Sequence, residues 1–302
     1  MKLSIVTPTY NSEKYLKDTI ESVLSQAGDF DIEYIFADGG SSDGTLKIIE
    51  YYKDQIDTGR YKIYCNSIEI KYFSEKDFGM YDAINKGFNL ATGEIYAWIN
   101  SDDVYLQGAF QIICTTFGKF PEIKWLKGIT SFIKDDDLSI FKKGVPYIYS
   151  QDWITRGIYG RDTYFIQQDS VFWRKELWTM SGGANSKLKL AGDYDLWIRF
   201  AKHEPLWTIN FEVSCFRKRQ GQLSSNEKLY KEEQKSISNE RGFMLLIIKL
   251  LLWIQNKLPT HLNQVFYLVY RIAFNIKKQY FIDIEKNNEP VKKQAYHYEI
   301  LK

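Results

Sequence analysis

The sequence predicts an α/β fold, an open and mostly parallel sheet flanked by helices, and three observations lead there. Short apolar runs alternate with segments of helical spacing through the first hundred residues. Each run stops in a polar cluster, as strands do where parallel sheets turn their carboxyl ends toward a ligand. The 302 residues, 44% apolar and 16% aromatic, supply enough core for one large domain with an appendage or for two smaller ones.

In order, Leu3 to Thr7 is a strand stopped by Thr7-Pro8-Thr9-Tyr10-Asn11, and Glu13 to Gln26 carries Tyr15, Leu16, Thr19, Ile20, Val23 and Leu24 at helical spacing. Glu33 to Ala37 is a second strand that delivers Asp38 and a Gly-Ser-rich turn before a helix marked by Leu46, Ile49 and Tyr52. The third run, Ile70 to Ser74, leads through Glu75 to Gly79 into a helix over Met80 to Ala91. A fourth strand, Glu94 to Ile99, ends in Asn100-Ser101-Asp102-Asp103. A helix over Leu106 to Phe117 and a strand over Trp125 to Ile133 follow; Asp135 to Asp137 is a solvated turn, and Gly157 to Asp162 a mobile loop. Phe165 to Arg174 is expected to be a strand entering a helix near Lys175, and Leu196, Trp197 and Phe200 define the face of a further helix.

The formal net charge of +2 excludes a generic nucleic-acid binder, whose affinity needs an excess of Lys and Arg. Cys65, Cys114 and Cys215 are odd in number and far apart, which fits neither a disulfide framework nor a zinc knuckle. Met1 runs straight into a strand pattern with no apolar signal region, so the expected compartment is the cytoplasm.

Adjacent carboxylates at the end of an internal strand raise each other's pKa unless a cation lies between them. Asp102 and Asp103 therefore point to Mg²⁺ or Mn²⁺, which take one or two carboxylates beside substrate phosphates and water. The competing explanation is that Ser101 or Asp102 caps the next helix. Asp193 has the same two readings, a functional carboxylate or a helix cap. Neither a Gly-x-Gly-x-x-Gly nor a Walker loop follows the first strand, so backbone cradling is not how a phosphate is held.

Taken together, Thr7-Pro8-Thr9-Tyr10-Asn11, Asp38 to Thr45, the Glu75 to Gly87 segment with Asp77, Tyr81 and Asp82, Ala91 to Glu94, Asn100 to Asp103 and Gly192 to Trp197 resemble the family 2 glycosyltransferases. These are inverting enzymes of GT-A fold, many of which build bacterial surface polysaccharides. The resemblance implies a catalytic domain over 1–225, with 1–105 the nucleotide-binding half and 106–225 the acceptor half. It implies that Thr7, Pro8 and Tyr10 line the base and ribose pocket, and that Asp38 accepts the N3–H of uracil or thymine. Asp77, Asp82 and Ser101 would lie beside the nucleotide or donor sugar. Asp103 would hold the metal, with Asp102 on the ribose or a metal-bound water. Asp193 would be the catalytic base. Gln168, Arg217 and Arg219 match segments flanking the acceptor or diphosphate, although Arg219 stands where many relatives carry histidine.

The implied reaction transfers a sugar from a nucleoside-diphosphate donor, UDP first, to a hydroxyl of a glycan or lipid-linked acceptor in cell-envelope polysaccharide synthesis. One base and one metal-held leaving group mean a single displacement. A nucleotidyltransferase would carry a Gly-rich basic loop after the first strand; a non-catalytic nucleotide-sugar-binding or membrane-docking protein would have no need of both Asp103 and Asp193. Residues 226–282 are expected to form a helical extension. Its segments Phe243 to Ile254 and Leu262 to Ile276 are too short to span a bilayer but suit peripheral contact through 243–278, at the cytoplasmic face of the inner membrane, or a homodimer. Residues 283–302 are expected to be a loosely ordered tail.

Overall fold

A computed structural model describes residues 1–135, 137–160, 165–222, 225–238 and 278–296, together with positions 246, 250 and 253. The first half follows the alternation in the sequence: β1 Lys2–Thr9, α1 Glu13–Leu24, β2 Asp31–Asp38, α2 Thr45–Asp57, β3 Ser67–Ser74, α3 Met80–Asn89 and β4 Ile95–Trp98. There follow β5 Val104–Tyr105, α4 Ala109–Lys119, β6 Trp125–Lys134, β7 Asp137–Lys142, α5 Gln151–Thr155, β8 Val171–Arg174 and α6 Lys175–Ser181. The chain continues with α7 Gly192–His203, β9 Trp207–Lys218, α8 Glu227–Ile237, β10 Lys278–Ile284 and β11 Pro290–Tyr296. The main path of the sheet runs β11-β10-β9-β6-β8-β4-β1-β2-β3. β3, β2, β1 and β4 are parallel, whereas β8 enters antiparallel between β4 and β6.

Each face of the sheet has its own core. On one face α1, α2 and α4 cover Ile5, Tyr34, Ile35's neighbour Phe36 and Ile99; on the other α3, α6 and α7 bury a cluster of tryptophans. Trp197 of α7 stacks on Trp98 of β4 at 5.7 Å and on Trp125 of β6 at 5.8 Å. Offset aromatic pairs add about 0.5–1.5 kcal/mol each beyond area burial. This packing seats the middle of α7 against β4 and β6.

Two expectations change. Residues 283–296 are not a loose tail, nor are 278–282 helical. They form the β10–β11 hairpin, and Phe281 and Ile282 pair with Thr208 and Ile209 of β9. Ile282 is fully buried, Asn210 Nδ2 donates to Asp283 at 3.1 Å, and Lys292 reaches Glu122 at 2.7 Å. An isolated hairpin is marginal in water; added to an existing sheet edge, this one gains a ladder and a buried face. Phe165 to Ser170 is likewise not strand but a loop ending in a 3-10 turn over Gln168–Ser170, with β8 starting at Val171. The apolar segments 243–254 and 262–276 lie outside the described residues apart from positions 246, 250 and 253.

Candidate active site

In-register pairing sets Thr9 beside Asp38 and Asp38 beside Ser74, so the carboxyl ends of β1, β2 and β3 form one rim. Asp38 is the knot of that rim. Its Oδ1 accepts from Thr9 Oγ1 at 3.0 Å and Ser41 Oγ at 2.5 Å; its Oδ2 accepts from Gly40 N at 3.1 Å, Ser41 N at 2.9 Å and Ser74 Oγ at 2.6 Å. Burial by itself raises the pKa of this carboxyl, but the five donors outweigh it and hold it below the ordinary value. Asn11, at φ 47°, laces the first loop to the second by donating to Ser41 Oγ and accepting from Ser42 N. Gly39 lets the third loop close in, since a Cβ there would lie 2.6 Å from Asp77 Oδ2. Asp77 also accepts from Gly79 N, and Asp82 accepts from Phe78 N and pairs with Lys86, which staples the turn into α3.

At the end of β4 the chemistry is different. Asp103 is fully buried: Arg217 N donates to Oδ1 at 2.9 Å and Asn100 Nδ2 to Oδ2 at 3.2 Å. Burial, then the neighbouring Asp102 and Asp169, push its carboxyl well above the usual range. Asp102 keeps 11% of its side chain exposed and pairs with Arg219 Nε at 2.6 Å. The buried oxygen Asn100 Oδ1 has no hydrogen-bond partner. Beneath the pair, Asp169 is enclosed with its pKa raised by burial, partnered by Ser214 at 2.6 Å; burial lowers Lys127 to about 8 against the pull of Asp169.

Asp193 occupies the first turn of α7. Its Oδ1 accepts from Tyr194 N at 2.7 Å and Tyr230 Oη at 2.9 Å, and its backbone N–H donates to Tyr81 Oη at 3.3 Å. Tyr81 also donates to Leu190 O at 2.7 Å, and a Cβ at Gly192 would lie 2.6 Å from its ring. Glycine is required there for the approach. Since Tyr81 opens the helix that follows Asp77, a continuous path joins Asp38, Asp77, Tyr81 and Asp193. The structure thus connects Asp38 and Asp77 with the backbone of Asp193.

It also redistributes the expected roles. Asp103, expected to hold the metal, has both oxygens turned to protein donors and none exposed, whereas the Asp102 carboxylate keeps a partly exposed edge. Thr7 and Pro8 are buried, Thr7 against Tyr34 Oη at 3.1 Å, and only Tyr10 of the three stands out, 67% exposed. Arg217 is sequestered by Asp102 O, Asp135 O, Asp18 and the Tyr15 ring, so it braces the β4 and β9 ends and does not face a diphosphate. Gln168 is buried and donates to Trp98 O, tying its turn to β4. Ser101 reaches Ser12 Oγ at 2.8 Å. Arg219 remains part-exposed on Asp102, and Phe78 in the third loop's turn, 90% exposed, went unremarked in the sequence because an aromatic in a turn has no periodicity to betray it. A separate groove of about 430 Å³, lined by Phe88, Lys175 and Trp178 among others, includes none of these residues.

Hard oxygens are the donor set that Mg²⁺ and Mn²⁺ take, and the unpartnered Asn100 Oδ1, two residues before Asp102 in the chain, is an oxygen of that kind. Among the described residues no group of three or more His, Cys, Asp or Glu could hold a metal. An ion here would thus draw its other ligands from phosphate and water.

The sequence profile of glycosyl transferase family 2 matches residues 4–174. Chondroitin synthase of Escherichia coli is 26% identical over 241 residues, 79% of this chain; the chain spans about a third, 32%, of that relative. Among solved structures, S. aureus TarS 1-349 in complex with UDP-GlcNAc aligns with a TM-score of 0.56 at 17% identity, over 80% of this chain and 68% of TarS. The mannosyltransferase PcManGT from Pyrobaculum calidifontis, in complex with GDP-Man and Mn²⁺, aligns at 0.54 and 13% identity, over 80% and 66%. These two share the fold.

Proposed function

The chain belongs to glycosyl transferase family 2, and from that premise we propose that it moves a sugar from a nucleoside diphosphate, UDP by preference, to a hydroxyl of a glycan or lipid-linked acceptor with inversion. The observation that supports this reading is the run of contacts from Asp38 through Asp77 and Tyr81 to Asp193, which links the proposed base to the proposed nucleotide rim. In the proposed step Asp193 takes the proton of the acceptor hydroxyl while that oxygen bonds to the anomeric carbon. The bond from that carbon to the diphosphate oxygen breaks, and the nucleoside diphosphate departs with the electron pair. Attack from the face opposite the leaving group inverts the centre, so an α-linked donor sugar becomes a β-linked product.

Asp102 and Asn100 would hold Mn²⁺ or Mg²⁺. When bound, the ion stabilises the charge that gathers on the diphosphate. Arg219 pairs with Asp102, and with an ion held at Asp102 its guanidinium would be free to bind the same phosphates. Tyr10 and Phe78 offer exposed rings for stacking against the base or sugar, and Asp38 would receive the base N3–H once the Ser41 hydroxyl rotates away. UDP is the donor nucleotide in the complex of TarS, which shares the fold, with UDP-GlcNAc.

Leu246, Leu250 and Trp253 are helical and 63%, 53% and 60% exposed, spaced to share one face. No helix among the described residues is long and apolar enough to cross a membrane. This stripe supports peripheral contact of 243–278 with the cytoplasmic leaflet, in keeping with a lipid-linked acceptor. Flotation with anionic liposomes checks this part; a protein that instead dimerises and stays off vesicles uses the stripe between copies. For the transfer itself, the test is release of nucleoside diphosphate from a panel of nucleotide sugars with Mn²⁺. Turnover of a UDP-sugar that disappears in Asp193→Asn supports the reading, and inertness toward every donor, in binding as in turnover, refutes it.

A further inference from the structure

We propose that Tyr230 and Glu233, on α8 and beyond the 4–174 segment, are positioning residues for the base; the inference rests on Asp193 being that base. Tyr230 is buried, its ring packed edge-on to Phe165 at 5.8 Å, and its hydroxyl donates to Asp193 Oδ1. Glu233, one turn on, accepts three successive backbone N–H groups, from Lys189 at 2.8 Å on Oε1 and from Leu190 at 2.9 Å and Ala191 at 2.8 Å on Oε2. These precede the first turn of α7, whose N-cap, Ala191, has no side chain able to cap it. Glu233 thus anchors the backbone leading into α7, while the first-turn N–H groups of Asp193 and Tyr194 are met by Tyr81 Oη and Asp193 Oδ1.

The same face of α8 reaches the acceptor side. A Cβ at Gly160 would lie 2.9 Å from Gln234 Nε2, Ser238 Oγ donates to Arg156 O at 3.1 Å, and Tyr194, next to the base, donates to Gly157 O at 2.5 Å. One short helix thus fixes the base, the backbone that carries it and the loop expected to shape the acceptor pocket. A phenol donating to a carboxylate favours the ionised form, which is the form that takes a proton. Fixing the rotamer as well keeps the base within reach of the hydroxyl it serves.

The test uses the full chain and four variants: Tyr230→Phe, Glu233→Gln, Asp193→Asn and Tyr230→Phe with Asp193→Asn. UDP release from UDP-GlcNAc and other UDP-sugars, with Mn²⁺ and water as acceptor, is followed across pH. Tyr230→Phe should lower kcat roughly tenfold, leave the donor KM unchanged and move the acid limb of the rate profile to higher pH. Glu233→Gln, which loses a charged acceptor but keeps the shape, should lower kcat less. Full activity with an unshifted profile in Tyr230→Phe, while Asp193→Asn is dead, overturns the positioning role. Undiminished turnover in Asp193→Asn instead removes the base itself, a different failure. Because a wrong donor would hide both, the four proteins are also melted between pH 4 and 8. The Tyr230→Phe deficit should grow as the carboxylate ionises and vanish in the Asp193→Asn background; a pH-independent deficit overturns the proposal.

Discussion

Asp38 and Asp103 end neighbouring parts of one sheet rim and are equally buried, yet they sit in opposite electrostatic conditions. Asp38 meets five donors and is held in its charged form; Asp103 meets two, shares its surroundings with Asp102 and Asp169, and has its pKa driven up. Burial alone does not decide ionisation. The supply of donors does, and the contrast separates a rim saturated by hydrogen-bond donors from a carboxylate cluster with few of them, the place proposed for a cation.

The comparison breaks or sharpens most at Asp193, the proposed base. Asp193→Asn should cut turnover by roughly 10²- to 10⁴-fold while isothermal titration finds nucleotide binding intact. Next come the adjacent carboxylates. Asp102→Asn should remove Mn²⁺-dependent nucleotide binding by calorimetry, whereas Asp103→Asn should keep it; the opposite result would return the metal to Asp103.

Stability should divide the same way. Asp38→Asn leaves buried hydroxyl and amide donors poorly matched and should cost about 1–3 kcal/mol in chemical denaturation. Asp103→Asn removes a group whose folded pKa is raised, which costs stability as pH climbs above the unfolded carboxylate range. The variant's melting temperature should therefore gain on wild type between pH 4 and 7.

Glu33 offers a smaller test on the scaffold side. Burial raises its pKa, but Lys71, Ser4 and Thr92 outweigh this and bring it from 4.5 to about 2. Its contribution is present above pH 4.5 and is lost as pH falls toward 2, so Glu33→Gln should unfold earlier at neutral pH and converge on wild type in acid. Smallest of all, Arg219→Gln should tighten Mn²⁺ binding a few-fold without nucleotide, as seen in the electron paramagnetic signal of free Mn²⁺, because an exposed ion pair is worth only ~0–1 kcal/mol and its partner no longer competes for Asp102.

The strands and helices of the first 119 residues, β5 apart, were legible because each is announced within its own segment: alternation and turn glycines act over a few residues. The motifs were legible too, as groups at strand ends. What the sequence left open was which of two adjacent aspartates faces outward. Neighbours in a chain point different ways, and only Arg217 and Arg219, more than a hundred residues on, reveal the direction. The β10–β11 hairpin hid for a related reason, since its strands are polar on one face and gain stability only against β9.

By itself, then, the sequence determined the sheet's alternating elements and the carboxylates that end them, because local periodicity and short-range sterics suffice for both. Tertiary structure alone decided that Asp102 takes the outward place, that Arg217 is a brace and that Tyr230 touches Asp193. Each depends on groups brought together by packing of the tryptophan core, and no pattern within a single segment encodes a distance across the fold.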